Sequence, residues 1–252
     1  MGIYREFANF YDFLMKDAPY EQWLKVLDKA IEEKPLRIAD IGCGTGTLCM
    51  KLAANGHQIW GIDISDEMLT IAEEKRLQLS LPIRRRVNYL LEDMTQLQLP
   101  EPMDICYSFC DSMNYLPSIA DLDVTFNKIY NNLKPGGLFI FDLLALAKME
   151  HQLHDLKNFE VADDVICIWH NHFDKQLSEL HYDVTLMTKE QKNKYLRHDE
   201  YHIQKGYTIE DVRGLLNKNG FEISMEFADF NLEKNIEEAT DRYFWVVKKV
   251  SP

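Results

Sequence analysis

The chain is short of positive charge: 28 Lys and Arg stand against 41 Asp and Glu, a formal net charge of −13 over 252 residues. Long phosphate polymers are gripped by Lys/Arg surfaces, so this bulk acidity argues against nucleic acid as a partner. Cysteine is scarce too. The five, Cys43, Cys49, Cys106, Cys110 and Cys167, are odd in number and show neither a CxxC pair nor zinc spacing. Four of them fall in expected strands or in a glycine loop, where a free thiol behaves as a small apolar group. That leaves no basis for a disulfide framework and implies a reducing compartment. No apolar run approaches the ~18 residues of a membrane span. The start, MGIYREFANFYDF, carries charge where a secretory leader is apolar. The expectation is a cytoplasmic protein with no membrane partner. Repeats and low-complexity segments are absent as well.

What remains is ordinary globular composition, 46% apolar and 27% charged. The length fits one α/β domain with an insertion better than two independent domains. Residues 1–34 read as two amphipathic helices, the second from about Tyr20 to Glu33 with Trp23, Leu24, Leu27 and Ile31 on one face. Pro35 stops it. Strands are then expected at Ile38–Ile41, Gln58–Ile64, Val87–Leu91, Asp104–Cys110 and Leu138–Leu143. Helices are expected at Thr47–Asn55, from Ser65 to about Leu79, and over about Ile119–Leu133, with a Pro135-Gly136-Gly137 turn before the fifth strand. This βα alternation implies a mostly parallel sheet covered on both faces. After residue 150 the rhythm changes. Val165–Phe173, Leu177–Thr188 and Tyr195–Lys205 alternate and read as an antiparallel meander of about three strands. Thr208 N-caps a further helix, with Asp211 at its third position, and Gly220 ends it. Phe221–Phe227 and Tyr243–Val250 close the chain. The expected division is a core of residues 1–150 and 207–252 interrupted by a β-rich cap over 151–206.

Three glycines spaced by two, Gly42, Gly44 and Gly46, interrupt the first strand before its helix. Spacing this tight suits a ligand passing close to the backbone. Asp63 ends the second strand, about 20 residues on, where a carboxylate accepts hydrogen bonds from ribose hydroxyls. A dinucleotide fingerprint G-x-G-x-x-G would need glycine at position 47, which is Thr47.

The run Asp40-x-Gly42-x-Gly44-x-Gly46 instead resembles motif I of class I S-adenosylmethionine methyltransferases. Four further segments resemble that family in order. Gly61-Ile-Asp-Ile-Ser-Asp-Glu-Met68 is similar to the ribose-binding strand end, and Glu92-Asp93-Met94 to the segment that takes the adenine amino group. Asp104–Cys110 with Asp111-Ser-Met-Asn-Tyr-Leu116 is similar to the motif at the mouth where cofactor and substrate meet. Asn132–Asp142 resembles the turn and fifth strand, and Tyr207–Phe221 the penultimate helix. Over its whole length, from Tyr4, Tyr11 and Asp12 onward, the chain resembles a bacterial YqeM-like subfamily.

That resemblance implies a Rossmann-like class I methyltransferase fold with a mostly parallel seven-stranded sheet, and S-adenosylmethionine as cofactor. It implies cofactor contacts at Tyr11, Asp40, Gly42, Cys43, Gly44, Gly46, Asp63, Ile64, Met68, Asp93, Met94, Cys110 and Asp111. Tyr4 and Phe7 are further candidates to close over the cofactor. The sulfonium is already an activated donor, so holding a nucleophile in line supplies most of what the reaction needs, up to ~7–11 kcal/mol. No general base stands out. The loop after the fourth strand lacks both [D/N]-P-P-[Y/F] and a Pro-Cys pair, which leaves Asn114 and Tyr115 as polar candidates near the methyl.

In related enzymes an inserted antiparallel segment covers the acceptor, so 151–206 is the substrate-recognition candidate. Among its histidines, His170 and His172 stand two apart on a strand and share a face, which makes them further catalytic candidates. A metal pair there would lack a third ligand at firm spacing, and no metal is expected. The leading expectation is methyl transfer to a small-molecule acceptor by a monomer or homodimer. The alternatives are an RNA or protein methyltransferase, a nicotinamide-dependent oxidoreductase, and a non-catalytic S-adenosylmethionine-binding regulator.

Overall fold

Ile38, Ala39, Asp40 and Ile41 are all buried, which requires cover on both faces of their strand. That cover is visible in a computed structural model that describes residues 8–31, 35–162, 164–192 and 194–250. Tyr4 and Phe7 lie outside the described residues. Helices α1 (Ala8–Leu14) and α2 (Tyr20–Ala30) lead into β1 (Arg37–Ile41), α3 (Thr47–Ala54), β2 (Gln58–Asp63), α4 (Asp66–Leu77) and the short α5 (Leu81–Arg84). Then come β3 (Val87–Leu91), β4 (Met103–Ser108), α6 (Ile119–Asn132) and β5 (Leu133–Leu144). A turn of helix, α7 (Leu146–Lys148), and the π-helical turn Met149–Leu153 carry the chain out into β6 (Lys157–Ala162), β7 (Val165–Asp174), β8 (Glu179–Gln191) and β9 (Lys194–Lys205). It returns through α8 (Ile209–Lys218), β10 (Phe221–Ala228) and β11 (Arg242–Lys249).

The helix starts follow from capping chemistry. The Ser65, Ser118 and Thr208 hydroxyls accept the N–H of Met68, Asp121 and Asp211, satisfying N-terminal donors that a helix leaves open. Asp121 and Asp211 bond back to the hydroxyls that cap them.

Seven strands form one sheet in the order β10-β11-β5-β4-β1-β2-β3. All pairings from β5 to β3 are parallel, and β11 alone runs against its neighbours. This is the expected class I methyltransferase architecture. Its faces are packed by different helices. Ile38 joins Trp23, Leu27 and Leu52 on one side, while Ile41 joins Phe126, Val212 and Leu216 on the other. The order reverses between β1 and β4, so the crevice at their carboxyl ends is where a ligand is expected.

The cap is a separate antiparallel sheet in the order β6-β7-β8-β9. It has four strands where the sequence suggested about three; the extra one, β6, is only six residues long and leaves its apolar Phe159 and Val161 exposed. Its buried clusters are small, with Cys167, Val184 and Leu186 covered by Phe10 and Leu14 of α1. Two further boundaries moved. The Pro135-Gly136-Gly137 segment is no turn before β5. It lies within the strand as a bulge, where the pairing with β4 shifts register between Met103 and Ile105. β4 ends at Ser108, because Cys110 and Asp111 both take positive φ, 59° and 56°.

Candidate active site

Asp63 is the hinge of the site. Its Oδ2 accepts the Gly44 N–H at 2.8 Å and its Oδ1 the Ser65 N–H at 2.9 Å. A carboxylate has about four acceptor positions, so two bonds fix its orientation and leave capacity for a ligand. Burial raises its pKa, against the pull of those N–H groups. Asp63 lines two adjoining cavities, of about 350 Å³ and 280 Å³, which also share Gly42, Ser112 and Tyr115.

The smaller cavity opens between Ile64, Asp93 and Met94. Ile64 is 60% exposed, an aliphatic side chain left at the rim of a site rather than in the core. Asp93 Oδ1 accepts both the backbone N–H and the hydroxyl of Thr95 at 2.8 Å, and Oδ2 has no bond among the described residues.

The larger cavity lies between the glycine loop and the cap. Tyr11 is placed there because Asp12, next to it on α1, accepts from Thr45 Oγ1 at 2.6 Å and from Lys75 Nζ at 2.7 Å. Its ring sits over Gly44, 3.7 Å from where a Cβ would stand. Cap residues Cys167, Trp169, Tyr182, His202 and Gln204 form the opposite wall. Cys110, Asp111 and Met68 complete the core side. Behind the loop, Asp40 and Cys43 line a small hollow of about 30 Å³. Asp40 accepts the Cys49 thiol at 3.2 Å, and burial pushes its pKa up to about 7. Burial raises the Cys43 and Cys167 thiols to about 11 and Cys110 higher than its usual range. None of these thiols offers a thiolate nucleophile at neutral pH.

One polar network joins core and cap. Arg242 Nη1 donates to Asp111 Oδ1 at 2.5 Å and to Asp142 Oδ2 at 3.1 Å. Asp142 also accepts Trp23 Nε1–H at 2.8 Å and the Asp111 N–H at 3.1 Å. Across the cavity, Gln204 Nε2 donates to Asp111 Oδ2 at 2.9 Å, and the Tyr182 hydroxyl donates to Gln204 Oε1 at 2.8 Å. Both carboxylates meet the same guanidinium yet shift in opposite senses. Burial alone would raise Asp111, but Arg242 and Gln204 outweigh it and hold the carboxyl below its ordinary value. Fully buried Asp142 is pushed up to about 6 despite Arg242.

Four candidates are used differently from expectation. Gly46 lines none of these cavities: a Cβ there would lie 2.2 Å from the Tyr89 hydroxyl, so its missing side chain makes room for packing as φ +73° turns the chain into α3. Asn114 is fully buried and bonds backbone at both ends, donating to Lys205 C=O at 2.8 Å and accepting the Leu144 N–H at 3.0 Å. It clamps the points where the chain leaves for the cap and returns. His170 and His172 stand on the wrong face of β7. Cys167, Asn171 and Phe173 of the other parity are buried, and Cys167 and Trp169 line the cavity. Tyr115 does face both cavities, its ring edge-on to His202 with centroids 6.1 Å apart. The histidine in the site is therefore His202, with Glu200 Oε2 3.3 Å from its Nε2. Trp169, Gln204 and Arg242 were also missed; Tyr182 and His202 stand out in the sequence only as members of a His- and Tyr-rich insertion. Their parity on the cap strands was a signal, though a weak one; Arg242 had none, being 131 residues from Asp111.

Comparison with known proteins bears on what such a site does. A family model described as a methyltransferase domain matches residues 38–137. The chain is 34% identical over 250 residues to a protein of Geobacillus sp. (strain WCH70), covering 98% of this chain and 99% of that one. It is 33% identical over 249 residues to YqeM of Bacillus subtilis (strain 168), covering 98% and 97%. Both carry the name "Putative methyltransferase". The crystal structure of a S-adenosylmethionine-dependent methyltransferase from Clostridium acetobutylicum ATCC 824 superposes with a TM-score of 0.83 at 28% identity, over 99% of this chain and 100% of the other.

Proposed function

The chain belongs to the YqeM-like S-adenosylmethionine-dependent methyltransferases, and from that premise we propose that it methylates a small molecule enclosed between the glycine loop and the cap. The observation that carries this reading is the pair of adjoining cavities hinged on Asp63, one against Asp93 and the other against the cap.

The residues present fit the cofactor. Asp63 has acceptor capacity for a ribose diol, Ile64 and Met94 offer apolar faces to a flat base, and Asp93 keeps an acceptor for its amino group. Gly42, Gly44, Tyr11 and Met68 line the path toward the cap. The cofactor bound there supplies a methyl group on a sulfonium, already activated for displacement.

The protein's own task is to bring a nucleophile to that methyl and to take its proton. The acceptor side is about 350 Å³ with flat walls, Trp169, Tyr182 and Tyr115, in the range of small-molecule sites. Its cation, Arg242, is committed to Asp111 and Asp142. That disfavours anionic acceptors and fits a neutral or cationic hydroxyl or amine compound. His202 takes the proton of the nucleophile, and Glu200 at 3.3 Å stabilises the imidazolium that forms. Tyr115 braces the ring.

The experiment is transfer of labelled methyl from S-adenosylmethionine to separate small-molecule, protein and RNA fractions of a bacterial extract. Label in the small-molecule fraction is expected, reduced by ~10²–10⁴ in His202→Gln. Label confined to protein or RNA would overturn the acceptor class. For the cofactor half, Asp63→Ala is expected to weaken S-adenosylhomocysteine at least ~10-fold by calorimetry, because a buried site built to pair hydroxyls loses its acceptor. Unchanged affinity would remove Asp63 from the site.

A further inference from the structure

The face of β7 that is turned away from the cavity carries its own constellation. His170 and His172 lie along it, and the turn after residue 153 brings Asp155 beneath them. Asp155 Oδ1 is 4.0 Å from His170 Nε2 and 3.8 Å from His172 Nδ1. On the other carboxylate oxygen, His154 Nε2 approaches to 3.6 Å, and the His154 and His172 rings lie 5.3 Å apart. Ligand atoms of His154, Asp155 and His172 all fall within 4.8 Å of one another. His154 is distinguished by its other nitrogen, whose Nδ1 accepts the Phe173 N–H at 3.1 Å. Its proton therefore sits on Nε2, aimed at Asp155.

We propose that Asp155, His170 and His172 bind a divalent cation of the zinc type, with His154 orienting the carboxylate from behind.

Two imidazoles and one carboxylate form a borderline donor set, which suits zinc and its first-row neighbours rather than oxygen-seeking magnesium or calcium. Bonds of ~2.0–2.1 Å to a tetrahedral ion place neighbouring ligand atoms about 3.3 Å apart. Both histidine nitrogens face the same Asp155 oxygen, at 3.8 and 4.0 Å, and with side chains 43–68% exposed the two imidazoles must turn toward each other to share an ion held there. His154 Nε2, 3.6 Å from Asp155 Oδ2, is a few tenths of an ångström beyond hydrogen-bond distance, and a donor to the ligating carboxylate is the usual outer support of such a site. The neighbour His181 is engaged elsewhere, its Nδ1 meeting the Tyr201 hydroxyl. Nothing in the sequence joined Asp155 to the histidine pair; the chain reversal between the π-helical turn and β7 does so. The ion would tie the segment leaving the core to the strand whose opposite face presents Trp169 to the cavity. The site is independent of the acceptor reading.

The test is calorimetric titration of the full, chelator-treated chain with ZnCl₂. One saturable site of micromolar affinity is expected, weakened at least ~10-fold in His172→Ala and in Asp155→Asn and unchanged in His181→Ala. His154→Ala is expected to weaken it several-fold. Each variant is first shown to keep its circular dichroism and its affinity for S-adenosylhomocysteine. Absence of saturable binding below about 1 mM overturns the proposal, with ~4 kcal/mol as the corresponding ceiling on affinity. Zinc affinity retained in both His172→Ala and Asp155→Asn places the ion elsewhere, for instance on the free thiols, and overturns it equally. Magnesium binding as tightly as zinc would refute the nitrogen ligands.

Discussion

The two sheets of this enzyme hold functional groups in opposite ways. In the core, site residues sit at the ends of parallel strands buried on both faces, and backbone fixes them. Asp63 is held by the N–H groups of Gly44 and Ser65, and Asp111 follows a strand end bent by two positive φ values. In the cap, position is set by which face of an antiparallel strand a residue occupies, and a one-residue step moves it from cavity to solvent. Trp169 and His170 are neighbours in sequence and on opposite sides of the sheet. A cofactor common to a family suits the first arrangement, since its contacts are built into the chain path. An acceptor particular to one enzyme suits the second, because side chains on one cap face can change without disturbing the fold.

Charge shows the contrast at its largest. The core buries two carboxylates around Arg242, which is 12% exposed with Asp142 at 0%. Arg242→Met is expected to cost ~3–5 kcal/mol in urea denaturation at pH 7, because it strands buried negative charge. The matching deletion in the cap, Arg197→Met, breaks a pair with Asp199 exposed at 66% and 57% and is expected to leave stability within error. Equal losses from the two substitutions would erase the distinction.

A smaller effect comes from pH. Asp40 and Asp142 have folded pKa values raised to about 7 and about 6, above the ordinary 3.8. A raised carboxyl binds its proton more tightly folded than unfolded. Its stabilisation is thus full below about pH 4 and is lost as pH rises through the folded value. Asp111, held low, acts in the opposite sense. Asp40→Asn is expected to gain on the wild type by on the order of 2–4 kcal/mol between pH 4 and pH 8. Parallel stability curves for the two proteins over that range would show that Asp40 titrates normally.

The same division explains what could be read in advance. Gly42, Gly44 and Asp63 are found by local spacing because loop, strand end and helix start are consecutive in the chain, whereas Asp93 is found only through the family resemblance of Glu92-Asp93-Met94. The cap was recognised as an antiparallel insertion, but its site was not. Val165–Phe173 has apolar residues on both parities, Ile166 and Ile168 as well as Cys167 and Trp169, so alternation alone does not say which face is covered. The covering elements are α1 and the core, distant in sequence. Polarity then favoured His170 and His172, where tertiary packing chose His202. Asn114 failed for a different reason. Its place in the motif after β4 is the expected one, and only the backbone groups of Leu144 and Lys205, both far along the chain, reveal it as a clamp.

The weakest expected effect probes the joint between the two sheets. Tyr182 donates to Gln204, which donates to Asp111, which is paired with Arg242. Tyr182→Phe keeps the ring and removes one donor, leaving Gln204 Oε1 in a residue only 2% exposed. The expected cost is ~1 kcal/mol. The informative quantity is the coupling with Asp111→Asn. If the chain of bonds acts as a unit, a double-mutant cycle gives a non-zero interaction of ~0.5–1 kcal/mol although the two residues do not bond each other directly. Additive losses would mean that this chain of bonds does not act as a unit between cap and core. Methyl transfer then refines the result. If the cap is the acceptor wall proposed above, a bonded joint lets it set the orientation of Asp111, so Tyr182→Phe is expected to lower turnover with little change in S-adenosylhomocysteine affinity. A cap that merely leans on the core would leave turnover as it was.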